Sequence, residues 1–170
     1  MARKSAKILG SGQRNRWLNR LEPNVVKLEP GKLRVLVDTN VWYSAILYGG
    51  KPEEVGTICR QRYQLVSSQY IVDELLTLLK EVGTPYRWRN NLEKVLKRIM
   101  LLVEPPDFSG ISRDPKDDPI ISAAITGKCD FLITNDKDLL ELGVHNELHI
   151  LKSADFLLHG SSQEAQSFRL

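Results

Sequence analysis

Four carboxylates stand where separate stretches of this chain could deliver side chains to one point: Asp38 in VLVDTN, Glu74 in IVDELL, Asp117 in DPKDDP and Asp136 in LITNDKD. Each lies where an apolar strand is expected to end or an amphipathic helix to run, the positions that feed one edge of a sheet. Four converging carboxylates cannot all stay ionised without a cation. Either some hold protons or a hard divalent ion neutralises them, and an all-oxygen set with no histidine nearby points to Mg2+ or Mn2+. Taken singly, each acid has a simpler use. Asp38 and Asp136 could cap the next helix, Glu74 could be a solvated helix residue like Asp73 beside it, and Asp117 and Asp118 could complement a helix dipole. Their order favours the collective reading: strand-Asp, helix-Glu, helix-start Asp, strand-Asp within one stretch of domain size.

The elements that must position these acids follow from apolar spacing. Leu33, Val35, Leu36 and Val37 form a short buried strand ending at Asp38, followed by helical spacing through Val41, Trp42, Ala45, Ile46 and Leu47 to the Gly49-Gly50 break, then again from Glu53 to Arg62. Leu65 and Val66 make a second strand, and Ser67 or Ser68 caps a helix striped by Ile71, Leu75, Leu78 and Leu79. Thr84-Pro85 ends it. A basic amphipathic helix follows, carrying Arg87, Arg89, Lys94, Lys97 and Arg98, then a third strand at Leu101–Val103. Pro119 suits the first turn of a helix buried through Ile121, Ala124 and Ile125. Phe131–Ile133 is a fourth strand, His149–Leu151 a fifth, and Ala154–Leu158 a last helix. Strands alternating with helices at this spacing predict a three-layer α/β/α sandwich with a central parallel sheet of four to five strands.

A length of 170 residues allows one domain with a real core. The domain is expected over residues 32–160, between a flexible basic arm (1–31), closed by Pro30-Gly31, and a frayed tail (161–170). Residues 1–34 hold nine Lys or Arg against Glu22 and Glu29, a net of +7, which leaves −4 on the remainder of a chain of total charge +3. A basic arm on an acidic body suits a polyanionic partner; a solubilising tail is the plainer use. No apolar run approaches the ~20 residues of a membrane span, and no secretory signal is evident, so a cytoplasmic location is expected. Cys59 and Cys129 are isolated, which predicts reduced structural thiols. His145, His149 and His159 all follow the last acidic motif, which argues against zinc hydrolysis and against a histidine base.

The segments LVDTNVW, SQYIVDEL, RDPKDDPIISAA and DFLITNDKDLL together resemble the PIN domain family of metal-dependent nucleases, over nearly everything from Leu33 to about Leu158. They look most like the branch that holds the toxins of toxin-antitoxin pairs. The resemblance implies a nuclease hydrolysing phosphodiester bonds of RNA with Mg2+ or Mn2+, and it puts Asp38, Glu74, Asp117 and Asp136 at the catalytic and ligand positions. Asp118 competes with Asp117 for the third place. The family's small polar residues, two after the first acid and just before the fourth, match Asn40 and Asn135 or Thr134 as orienting groups. Single-stranded or structured RNA is the implied partner, and the branch admits an antitoxin protein and a homodimer. The long basic arm departs from many relatives.

Strand contact would fall to Lys and Arg: Arg14, Arg16 and Arg20 in the arm, the basic helix, and Lys116, Lys128 and Lys137 near the acids. Trp42 and Tyr43 offer faces on which a base could stack, core packing being the other use of Trp42. A phosphatase of the haloacid dehalogenase type would need an acid at position 40, where this chain has Asn40. A receiver domain does not suit Glu74 in mid-helix, and phosphate-binding loop motifs are absent. The alternative from another class is a non-catalytic PIN-fold RNA-binding or scaffold protein acting with a partner.

Overall fold

The alternation of short apolar runs with amphipathic segments gives one sheet clad by helices on both faces. The computed structural model describes residues 8–21, 30–106 and 115–159. In chain order they form α1 (Ser11–Leu21), β1 (Arg34–Val37), α2 (Thr39–Tyr48), α3 (Lys51–Arg62), β2 (Gln64–Ser68), α4 (Gln69–Glu81), α5 (Tyr86–Ile99), β3 (Leu101–Val103), α6 (Asp118–Thr126), β4 (Phe131–Ile133), α7 (Lys137–Glu141), β5 (Val144–His145), β6 (Leu148–Leu151) and α8 (Ser153–His159). The strand order is β3-β2-β1-β4-β6-β5. Leaving β1, the chain builds β2 and β3 on one side, then crosses to β4 and β6 on the other. The order therefore reverses between β1 and β4, and at such a switch point loops part and leave a crevice at the carboxyl ends of the strands.

The register brings those ends level. Val35, Leu36 and Val37 pair in parallel with Phe131, Leu132 and Ile133, and the latter with His149, Ile150 and Leu151. Side chains alternate across the sheet, as a two-residue period requires. Val35, Val37, Phe131 and Ile133 enter one core with α1 to α5 and α8; Leu36 and Leu132 enter a second with Ile120, Ile121, Ala124 and Leu139 of α6 and α7. Both faces of the central strands are dry, which is why they read as continuous apolar runs. The expected α/β sandwich is present.

Two features differ from expectation. The sheet has a sixth strand, β5, antiparallel to β6 at its edge. Its turn residues Asn146 and Glu147 have φ of 48° and 68°, the left-handed pair of a tight hairpin, and Asn-Glu lacks the glycine that normally marks such a turn in sequence. The second difference lies in the arm. Residues 11–21 are not a flexible extension: they form α1, whose Trp17, Leu18 and Leu21 are buried against the main core. Trp17 meets Trp42 at 6.1 Å between ring centroids. A Cβ at Gly56 would come within 2.9 Å of the Trp42 ring, so the glycine is what lets α3 lie this close to α2. Trp42 is therefore a core residue rather than a stacking face. Residues 1–7 and 22–29 of the expected arm and the tail 161–170 lie outside the described residues.

Candidate metal centre

Asp38 is the first residue past β1, and its amide still donates to Ile133 O, at 2.9 Å, continuing the ladder to β4. One residue past β4, Thr134 donates its own amide to Leu151 O at 3.0 Å. The two side chains consequently meet across the switch point. Thr134 Oγ1 donates to Asp38 Oδ2 at 2.7 Å, and the same hydroxyl oxygen accepts the amide of Asp136 at 3.0 Å. Asp136 is in turn the N-cap of α7, its Oδ1 accepting the amide of Asp138 at 2.8 Å. One threonine thus ties the first acid to the loop that carries the fourth.

Asp38 is 1% exposed, and its Oδ1 has no hydrogen-bond partner among the described residues. Burial pushes this carboxyl from the usual 3.8 up to about 6; the bond from Thr134 opposes the rise, the nearby charge of Glu74 adds to it, and the amides of Thr39 and Asn40 oppose it. Glu74 comes from α4 and is fixed by Thr39, whose Oγ1 donates to Glu74 Oε2 at 2.5 Å. Asp117 stands at the head of α6, largely buried. Tyr70, in the first turn of α4, has its phenol raised by partial burial and then by the charges of Glu74 and Asp117.

Asp117, Asp136 and Asp138 each bring a carboxylate oxygen to within 4.8 Å of the others. This grouping takes in Asp117 and not Asp118, which is buried at the first position of α6. Asp138 was not anticipated. The available signal was the acid two residues past Asp136 in NDKD, at the head of α7, where a carboxylate can turn back toward the cap. Of the residues expected to orient the acids, Thr134 is bonded to Asp38 Oδ2. Asn135 turns away, its Oδ1 accepting the amide of Ser153 at 3.3 Å, and Asn40 is exposed on the first turn of α2.

The donor set suits a hard cation. The grouped carboxylates of Asp117, Asp136 and Asp138 offer oxygen only, and Asp38 and Glu74 lie outside that grouping, Asp38 with one buried oxygen that lacks a hydrogen-bond partner among the described residues, a pattern that a divalent ion would relieve by supplying charge and coordination. The described histidines are elsewhere: His149 packs near Phe131 at the start of β4, the opposite end of the sheet from Asp136. The two cysteines are free and buried, Cys59 held well above its usual range and Cys129 pushed up to about 12, each chiefly by burial. Neither can serve as a thiolate ligand or nucleophile at neutral pH.

The cationic residues fall into two sets. Lys116 and Lys137 are exposed and adjoin Asp117 and Asp136 in the chain. By contrast, Arg14 donates to Leu9 O and lies 5.9 Å from the Trp88 ring centroid, and Arg20 pairs with Glu53 at 3.3 Å, so both help to seat α1. Arg16 is exposed on the same helix. On α5, Arg89 bonds back to Thr84 O and Lys97 pairs with Glu93 at 2.7 Å.

An α/β fold whose strand order reverses between β1 and β4, with acids standing at the carboxyl ends of the strands there, defines a class of proteins whose ligands bind at that edge of the sheet. Residues 34–138 match the family model described as PIN domain, and the chain belongs to that family of metal-dependent nucleases. It is 28% identical over 135 residues, 71% of this chain and 82% of the relative, to the uncharacterized protein MJ1680 of Methanocaldococcus jannaschii. Its fold is similar to that in the crystal structure of VapBC2 from Rickettsia felis bound to a DNA fragment from their promoter, with a TM-score of 0.52, 14% identity, and coverage of 71% of this chain and 98% of that one. Among the described residues no helix is long and apolar enough to cross a membrane.

Proposed function

We propose that this protein is a Mg2+- or Mn2+-dependent endoribonuclease that hydrolyses single-stranded RNA in the cytoplasm, and that it is the toxin of a toxin-antitoxin pair. The observation that carries the nuclease reading is the convergence of carboxylates on an oxygen-only site beside the buried, half-satisfied Asp38. The toxin reading is drawn from family membership and from the likeness to the VapBC2 structure. Asp38, Asp117 and Asp136 would hold the ion, with Glu74 and Asp138 beside them. When bound, a divalent ion lowers the pKa of water and offsets charge on the phosphodiester.

The chain's own residues prepare the site. Thr134 holds Asp38 Oδ2 in place, Thr39 holds Glu74 Oε2, and the α7 amide of Asp138 holds Asp136 Oδ1, so three carboxylates each keep one oxygen for the crevice. Without the ion, Asp38 keeps its proton up to about pH 6, which limits repulsion among the acids. Lys116 and Lys137 are placed to attract the phosphate backbone, Arg16 to extend that field.

Labelled single-stranded RNA, single-stranded DNA and duplex RNA incubated with purified protein in Mg2+, Mn2+ or EDTA test the reading, alongside Asp38→Asn and Asp117→Asn. Cleavage of single-stranded RNA that needs the ion and both acids is expected. Equal cleavage by wild type and both variants would mark a contaminant and sink the enzymatic reading. Absence of both cleavage and metal binding would favour the scaffold. Co-purification with a small protein encoded beside it would test the toxin assignment.

A further inference from the structure

A cleft of about 310 Å³ opens one helical turn away from the acids, between the start of α4 and α6. Tyr70, Pro105, Pro106 and Pro119 give it apolar walls, Ser68 and Ser122 line it with hydroxyls, and the exposed Gln69 and Glu104 add an amide and a carboxylate. Its position follows from helix geometry. Tyr70 precedes Glu74 by four residues on α4 and Ser122 follows Asp118 by four on α6, so each lies one turn, about 5.4 Å, from an acid on the same helix face. The two hydroxyls differ. Ser68 Oγ is committed to capping α4 through the amide of Ile71. Ser122 is 1% exposed and its Oγ has no hydrogen-bond partner among the described residues. Leaving a buried hydroxyl unpaired is costly, and a polar group entering the cleft could relieve that cost by pairing with it.

We infer that this cleft is a nucleobase subsite: Tyr70 stacks on an unpaired base next to the phosphate held at the acids, and Ser122 Oγ reads that base's polar edge. The inference rests on the nuclease reading of the acid site and specifies its substrate as nucleic acid with an unstacked base. Tyr70 is 44% exposed, lines the cleft and stands one helical turn before Glu74 on α4, so the ring is available to a strand crossing the acids. Proline rings and an aromatic face accept any base by stacking, whereas one hydroxyl favours a base with a matching donor or acceptor. A duplex cannot present a base to such a recess without unpairing it.

Anisotropy of labelled 12-nucleotide RNAs with Ca2+ in place of the catalytic ion tests this, using oligo-A, oligo-U, a strand with abasic positions, and a duplex. Tyr70→Ala should weaken binding of the single strands about tenfold, the scale of one lost base stack. Tyr70→Phe should bind like wild type, and the abasic strand should bind wild type and Tyr70→Ala alike. Ser122→Ala should narrow any gap between oligo-A and oligo-U while leaving the tighter of the two within about threefold. Unchanged binding by Tyr70→Ala, or equal losses in the Ala and Phe variants at unchanged Tm, overturns the subsite. If Asp38→Asn abolishes cleavage but Tyr70→Ala binds normally, only the subsite falls; if wild type never cleaves yet Tyr70→Ala loses binding, only the nuclease reading falls.

Discussion

Asp38 and Asp136 begin from the same local pattern, an aspartate just past a buried parallel strand and just before a helix, and end in opposite states. Asp136 caps its helix: Oδ1 accepts the amide of Asp138, and the residue stays partly exposed. Asp38 occupies the N-cap of α2 but makes no side-chain cap bond, is buried, and spends one oxygen on Thr134 while the other has no hydrogen-bond partner among the described residues. A cap is a stabilising device. A buried carboxylate pushed up to about 6 is the reverse, a local cost that nearby positive charge would offset. Two aspartates indistinguishable by sequence context are thus separable by what folding does to them.

The contrast can be broken in order of effect. Removing the Asp38 charge should be most severe for activity: Asp38→Asn is expected to cut ion-dependent RNA cleavage on the order of a thousandfold, the scale of losing several kcal/mol of charge stabilisation. Wild-type rates in that variant would remove Asp38 from the site.

The same substitution should act on stability with the opposite sign. Asp38 binds its proton more tightly folded, at about 6, than unfolded, at about 3.8, so the folded state loses stability as pH rises between those values. Relative to wild type without metal, Asp38→Asn should therefore gain up to about 3 kcal/mol in urea unfolding at pH 7.5 and little at pH 4. An ion-free variant less stable than wild type at pH 7.5 would mean the carboxylate is not strained. Thr134→Val should come next. It removes the bond that favours the charged Asp38 and frees the Asp136 amide, so divalent affinity by calorimetry should fall about 10–100-fold. Asp136→Ala, by contrast, should cost the ion-free protein about 1 kcal/mol through loss of a cap. A stabilised Asp136→Ala would erase the distinction from Asp38.

The regular framework was largely legible because strands dry on both faces read as apolar runs and the helices between them carry apolar stripes. What escaped reading depends on contacts made at a distance. Trp17, Leu18 and Leu21 lie in an Arg- and Asn-rich stretch whose local composition resembles a tail, and only the surface built by Trp42 and Gly56 makes it a docked helix. Strand β5 hides behind a left-handed Asn-Glu turn. Among the candidate residues, Asp38, Glu74, Asp117, Asp136 and Thr134 are legible from spacing and family resemblance. Asp138 and Tyr70 are not, since their relevance follows from which way α7 and α4 face the crevice. The bond between Asn135 and the amide of Ser153 is not legible in the sequence, because it needs the position of α8.

The seating of α1 has a consequence for synthesis. This helix is made before the surface it packs against, which α2, α3 and α5 supply and which ends at Ile99. About 80 residues must follow Leu21 before that surface is complete, which at ribosomal rates takes roughly 4–16 s. For that interval Trp17, Leu18 and Leu21 travel without their shelter, among Arg14, Arg16 and Arg20. Charges flanking an unsheltered apolar segment oppose its association with other chains, so these arginines would serve the unfinished chain as well as the finished one.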